Sequence, residues 1–168
     1  MTRKEYNILV KKHADDIYRF VLVAGADVED ARDAVQEAYA SLWCRRDTVP
    51  FEKGKQYLLS AAYNRIKDYW RHNRVVREAM NLTRGVKYGE EEYTMPDEIF
   101  DLEEAIAKAL ESLTHQQQVL LRLKDIEGLS YSEISEITGL NVQQVQVYLF
   151  RARVALKRKM NEYGYGES

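Results

Sequence analysis

Four side chains near the C-terminus have the chemistry to read duplex DNA. Gln143, Gln144, Val147 and Arg151 project from one side of a predicted helix, at its N-terminal end. Glutamine can pair with the exposed edge of adenine, arginine can grip guanine, and valine can touch a thymine methyl. Between 142 and 160 the chain carries Arg151, Arg153, Lys157, Arg158 and Lys159 and no acid, a tract suited to phosphates. A second basic tract lies in the first half, with Arg65, Lys67, Arg71, Arg74 and Arg77 set against the single acid Asp68. Tyr57, Tyr63, Tyr69 and Trp70 are interleaved with or beside it. Aromatic faces stack on unpaired bases while cations follow the backbone, which is what holding a melted strand requires. Each of these aromatics, taken singly, is expected to serve the core first.

Catalytic chemistry is not visible. The three histidines (His13, His72, His115) are widely spaced and form no H-E-x-x-H pair, and Cys44 stands alone. There is no glycine-rich phosphate loop. We therefore expect no enzyme, no metal and no cofactor. The expected function is binding.

The elements that must position these residues are helical. The 168 residues are 45% hydrophobic and 31% charged, with 2 prolines and 8 glycines. That suits an all-α protein with real cores. The net charge of −2 excludes a uniformly basic nucleic-acid binder but not local patches. No apolar run approaches the roughly 20 residues of a membrane span, and the first residues lack the apolar stretch of a signal peptide. A reducing, cytoplasmic setting without membrane insertion is the expectation.

A first helix is predicted over 4–24, with Ile8, Leu9, Ile17, Phe20, Val21 and Ala24 as its apolar positions. Asp27 caps a second helix whose stripe is Ala31, Ala34, Val35, Ala38, Tyr39 and Leu42. Its opposite face holds Asp30, Asp33, Gln36 and Glu37, and from 27 to 37 there are five acids against Arg32. Phosphates would repel such a face, whereas a basic protein surface would fit it. After a loop over 47–54, a third helix runs from about 55 to about 80 and buries Leu58, Ala61, Ala62, Ile66 and Tyr69.

Residues 88–104 then carry eight acids and no base, and the first part of this stretch reads as a linker. Apolar periodicity resumes at Ile99, Leu102, Ile106, Leu110 and Leu113. Thr114 and Gln117 open a helix burying Val119, Leu120, Leu123 and Ile126, ended by Gly128. Ser130 and Glu133 cap a short helix, Gly139 turns the chain, Leu140 packs beneath the turn, and Asn141 caps a long helix. That helix has the core stripe Val145, Leu149, Ala152, Leu156 and Met160. A short helix, a glycine turn and a longer helix make a helix-turn-helix, whose second helix enters the major groove.

Together these residues resemble the sigma factors of extracytoplasmic-function (ECF) type, of the sigma-70 superfamily. Residues 30–39, D-A-R-D-A-V-Q-E-A-Y, are similar to the D-A-x-D-(L/A)-V-Q-E-(T/A)-(F/Y) signature. Residues 57–71 are similar to W-L-x-x-I-A-x-N-x-x-x-D-x-x-R, with Tyr57 at the usual tryptophan and Ala61 at the usual isoleucine. Residues 127–134, E-G-L-S-Y-S-E-I, and 151–153, R-A-R, match the closing blocks. Thr114 stands where proline is common, and 144–148 read Q-V-Q-V-Y where T-V-K-S-R is usual, which removes two phosphate anchors.

The resemblance implies a region 2-like bundle over 1–82, an acidic linker over 83–98, a region 4-like helix-turn-helix domain over 99–162 and a tail over 163–168. It implies that Asp30, Asp33, Gln36, Glu37, Leu42 and Trp43 bind core RNA polymerase of bacteria, at the β′ clamp helices, with the β flap as a further contact. It implies that Tyr57, Asn64, Arg65, Lys67, Arg71 and Arg74 engage the minus-ten element of promoter DNA. Gln143, Gln144, Gln146, Val147, Tyr148, Arg151, Arg153 and Lys157 would then take the minus-thirty-five element, and an anti-sigma factor would hold the protein inactive. The acidic linker would also be drawn to the two basic tracts in the free chain. The other reading of the residues is a stand-alone helix-turn-helix regulator with a helical sensor domain, binding duplex DNA as a dimer. A repressor has no need of the acidic second helix.

Overall fold

The chain begins by capping itself. Thr2 accepts from the Glu5 amide and Glu5 returns the bond to the Thr2 amide, a capping box that opens α1 (Arg3–Val23). Gly25 turns the chain with φ 96°, and the Asp27 carboxylate accepts from the Asp30 amide at 2.8 Å to start α2 (Val28–Cys44). A single 3₁₀ turn (Phe51–Lys53) leads into the long α3 (Gly54–Arg84). In this computed structural model residues 1–84 and 101–166 are described, with side chains described for 1–76 and 101–166. The linker expected within 83–98 lies outside the described residues beyond the last residues of α3, as do Ile99 and the Arg77 side chain.

The first three helices enclose one core. Ile17, Phe20 and Val21 from α1 meet Ala31, Ala34, Ala38 and Leu42 from α2 and Leu58, Leu59, Ala62 and Ile66 from α3, all buried. The alanine stripe of α2 lets its backbone lie close to its neighbours. Gly54 serves the same end, because a Cβ there would fall 2.3 Å from Leu9 Cδ1. Tyr39 is buried with its hydroxyl donating to the Leu9 carbonyl at 3.1 Å, and burial pushes its pKa up. Ile8, one of the apolar positions of α1, is exposed.

The second half is built from α4 (Leu102–Glu111), α5 (His115–Leu121), α6 (Tyr131–Thr138) and α7 (Val142–Glu162). Asp101, Thr114, Ser130 and Asn141 cap the four helices in turn. Gly139 ends α6 in the left-handed conformation at φ 78°, where a side chain is strained. The helix-turn-helix geometry expected from sequence is present, with Ile134, Ile137, Val145, Leu149 and Ala152 in the core and Leu156 and Met160 half-buried.

Two expectations fail here for local reasons. On α4, Ala105 and Ala109 face inward while Leu102 and Ile106 are exposed. Small residues let the helix lie against α7, and that contact outweighs the more apolar stripe. After α5 the chain passes through a π-turn (Arg122–Ile126), closed by the Glu127 amide donating to the Arg122 carbonyl at 2.9 Å. The wider turn delays the inward position by one residue. Ile126, expected in the core, is 66% exposed, and the next residue, Glu127, points inward with its side chain 4% exposed.

Among the described residues there are helices and no strands. Apart from Ala105 and Ala109, the buried apolar residues of both halves form one continuous cluster. No helix among them is long and apolar enough to cross a membrane, and no group of three His, Cys, Asp or Glu side chains is placed to hold a metal ion.

Candidate polymerase- and DNA-binding surfaces

Helix α2 turns its alanines inward, so its acids face water. Asp33, Gln36 and Glu37 are exposed, and Asp30 lies at the edge of a cleft of about 280 Å³ with Arg65, Asp68 and His72. Glu37 reaches the Arg65 guanidinium at 3.5 Å, and both side chains are solvated, so the pair adds little. Trp43 is half-buried under the Arg46 guanidinium, 4.1 Å from its ring centre, with Tyr6 edge-on at 4.9 Å. Leu42 belongs elsewhere. At 0% exposure it is a core residue with no surface to offer a partner, so its assignment to polymerase binding is corrected.

Helix α3 presents its cations on the side away from Leu58, Ala62 and Ile66. Asn64, Arg65, Arg71 and Arg74 are exposed, and Lys67, Arg71 and Arg74 line a shallow cleft with Trp70. The aromatics are committed to structure to differing degrees. Tyr63 is buried, Trp70 meets it edge-on at 5.9 Å, and the indole N–H donates to the Ala24 carbonyl at 2.7 Å. Burial raises the pKa of the Tyr63 phenol and keeps it neutral. Tyr57 is half-buried and shares a hydrogen bond with Ser41. It also lines a cleft of about 470 Å³ with Thr48, Val49, Pro50 and Lys53 of the preceding loop.

The outer face of α7 is open. Gln143, Gln146, Val147, Arg151 and Lys157 are exposed, and Tyr148 is half-buried with the Arg151 guanidinium 6.0 Å from its ring centre. Two residues expected to reach DNA have other work. The Gln144 side-chain oxygen accepts from the Asn141 amide at 3.0 Å, completing the cap of the helix, so only its NH₂ is free for a base. Arg153 donates to Asp125 at 3.0 Å, which holds it against its own domain and raises its already high pKa.

Sequence reasoning missed Phe150, 68% exposed, and Val154, also exposed. The signal was available, because 147, 150 and 154 step by three and four along the face opposite the core stripe. It also missed Glu127, whose inward turn depends on the π-turn.

Comparison with known families places both halves. A family model for sigma-70 region 2 matches residues 9–75, and one for sigma-70, region 4, matches residues 103–156. The chain is 25% identical over 154 residues to the ECF RNA polymerase sigma factor SigM of Bacillus subtilis, covering 91% of this chain and 93% of that one. It is 26% identical over 172 residues to the ECF RNA polymerase sigma-E factor of Escherichia coli, covering 94% and 87%. Two solved structures share the fold at 20% identity. The sigma factor RpoE, in complex with the anti-sigma factor NepR from Bartonella quintana, gives a TM-score of 0.66 over 94% of this chain and 98% of that one. CnrH, in complex with the cytosolic domain of CnrY, gives 0.62 over 95% and 90%.

Proposed function

The chain belongs to the sigma-70 family, in its ECF group, and is a sigma factor that directs transcription initiation; from this we propose how its surfaces divide the work. The face of α2 formed by Asp30, Asp33, Gln36 and Glu37, with Trp43 at its end, docks the β′ clamp helices of core RNA polymerase. The loop before α3, with Tyr57, Asn64, Arg65, Lys67, Arg71 and Arg74, takes the unpaired minus-ten strand. The outer face of α7, from Gln143 to Lys157, reads the minus-thirty-five duplex, and the region 4-like half also meets the β flap.

The observation that carries this reading is the sorting of charge. An exposed acidic face on α2 lies next to an exposed basic face on α3, so one small bundle offers a protein-docking side and a nucleic-acid side. Promoter opening then needs no chemistry from the protein. Stacking and phosphate contacts offset the few kcal/mol of unstacking. The protein works as a binding subunit in the cytoplasm, and an anti-sigma factor is its expected inhibitor, as the anti-sigma partner of the structurally similar RpoE suggests. We assign 1–82 to the first domain and 99–162 to the second, joined by the acidic segment.

The test is a pull-down with purified bacterial core RNA polymerase. Wild type is retained, and Asp33→Ala/Gln36→Ala/Glu37→Ala loses at least about tenfold in retention, as truncation of a charged contact set does. Equal retention of the two would remove the docking face from α2. No retention of wild type would return the stand-alone regulator.

A further inference from the structure

The first nine residues of α7, from Val142 to Phe150, carry no charge. Every cation of the tract suited to phosphates comes later, from Arg151 onward. The end of the helix that enters the major groove is therefore built of amides and apolar side chains. Val145 and Leu149 go to the core, and Gln144 gives its side-chain oxygen to the cap. Gln143, Gln146, Val147 and Phe150 are left exposed, and Val154 follows one turn on, exposed as well. At 3.6 residues per turn, Val147, Phe150 and Val154 fall along one side of the helix, across from Val145, Leu149 and Ala152.

A lone apolar side chain on a surface is ordinary, but a row of three along one helix face is costly in water unless something covers it. The surroundings of the row say what fits. From 142 to 160 there is no acid, and the exposed Arg151, Lys157 and Arg158 form the rim, which suits a polyanion. The apolar group that a duplex shows in its major groove is the C5 methyl of thymine. From Val147 to Phe150 the helix rises about 4.5 Å, a little more than the roughly 3.4 Å between base pairs, so the two side chains meet neighbouring pairs. Each A·T pair also shows the adenine N7 and N6 beside the methyl, and the exposed amides of Gln143 and Gln146 are the groups that pair with that edge.

We propose that Val147 and Phe150 read the minus-thirty-five element through thymine methyls, so that the element carries two neighbouring thymines on one strand. Gln143 and Gln146 take adenine edges, and Val154 extends the row and shields the contact from water. What is selected is a methyl group, not charge and not the base pair as such. The inference rests on the assignment of α7 to the minus-thirty-five duplex, and it adds the group on the DNA that is recognised.

The probe is a pool of duplexes with about ten randomised base pairs, one helical turn, copied once with thymidine and once with deoxyuridine, which lacks the methyl. Selection by the full chain enriches a motif with adjacent thymines from the first pool and not from the second. In the tightest duplex, uracil in place of either thymine weakens binding about fourfold, as loss of one buried methyl does. At the same place 5-methylcytosine, which returns the methyl on a different pair, binds about fourfold more tightly than cytosine. Val147→Ala and Phe150→Ala each become indifferent to uracil at one of the two thymines, whereas Phe150→Leu, still apolar, keeps the preference. Both positions are exposed, so the variants fold, and circular dichroism checks that they do. Equal enrichment from the two pools, or no gain from 5-methylcytosine, overturns methyl reading. A thymine preference that survives both alanine variants overturns its assignment to Val147 and Phe150. Alanine variants that bind the duplex as wild type does but lose retention on core polymerase overturn it too, and give the row to a protein partner. A chain that enriches no motif from either pool removes the minus-thirty-five assignment of α7 itself, which is a different failure from the others.

Discussion

Trp70 and Phe150 are both large aromatics among arginines, on helices assigned to DNA. Trp70 is half-buried, meets Tyr63 edge-on and donates to the Ala24 carbonyl. Phe150 is 68% exposed on the outer face of α7. In the first the ring holds the bundle together, and on the function proposed above only the neighbouring cations meet DNA. In the second, on the same proposal, the ring itself is offered to it. An aromatic beside a basic tract is thus scaffold or reader according to what lies behind it, and composition alone does not distinguish the two.

Truncating each ring is the strongest way to break that contrast. Trp70→Ala should lower unfolding free energy by about 3 to 4 kcal/mol in a denaturant titration, through lost packing and an orphaned carbonyl. Phe150→Ala should stay within about 0.5 kcal/mol of wild type yet weaken binding to duplex promoter DNA. Equal losses of stability would erase the distinction. Next in size is the effect of the cations around Trp70. Arg71→Ala/Arg74→Ala should reduce the dependence of log affinity on log salt by about 1.4 for single-stranded DNA, roughly 0.7 for each phosphate contact. Arg153→Ala, at a residue tied to Asp125, should leave the duplex salt slope nearly unchanged.

A smaller effect is expected at the turn that sets α7. Gly139→Ala should cost about 1 to 2 kcal/mol, because the left-handed backbone is strained for any side chain. The cost is conformational only, since a Cβ there meets nothing within 4 Å. The smallest concerns His13, buried on α1 with Nδ1 lacking a hydrogen-bond partner. Burial first, then Lys55 and Lys12, lowers its pKa below 6.5, against weaker opposite pulls from Asp16 and Glu127. The unfolded chain therefore takes up the proton first. Stability is full above about pH 6.5 and declines as pH falls from there through the folded-state pKa. Melting curves at about pH 7.5 and about pH 5.5 should differ less in His13→Gln than in wild type.

Much of this architecture is legible in the sequence. The caps at Asp27, Thr114, Ser130 and Asn141, the turn at Gly139 and the alanine stripe of α2 are local signals, and local signals survive folding. What was not legible depends on neighbours distant in the chain. Periodicity already puts Leu42 on the inward stripe of α2; its assignment to polymerase binding came from the resemblance, and its complete burial among distant neighbours overrules that. It favours Leu102 and Ile106 on α4, whereas contact with α7 selects Ala105 and Ala109. Gln144 and Arg153 look free in a helical projection, and only three-dimensional contacts show one completing a cap and the other paired with Asp125.

The π-turn decides which of two neighbouring side chains is hidden. By delaying the inward position one residue, it turns the Glu127 carboxylate toward the Lys55 ammonium and leaves Ile126 outside. A turn of ordinary width would exchange them, setting an isoleucine against the ammonium and sending the carboxylate to water. The register of a single turn thus fixes whether that cation finds a partner, and the cost is one lone apolar side chain on the surface, too small to make a sticky patch.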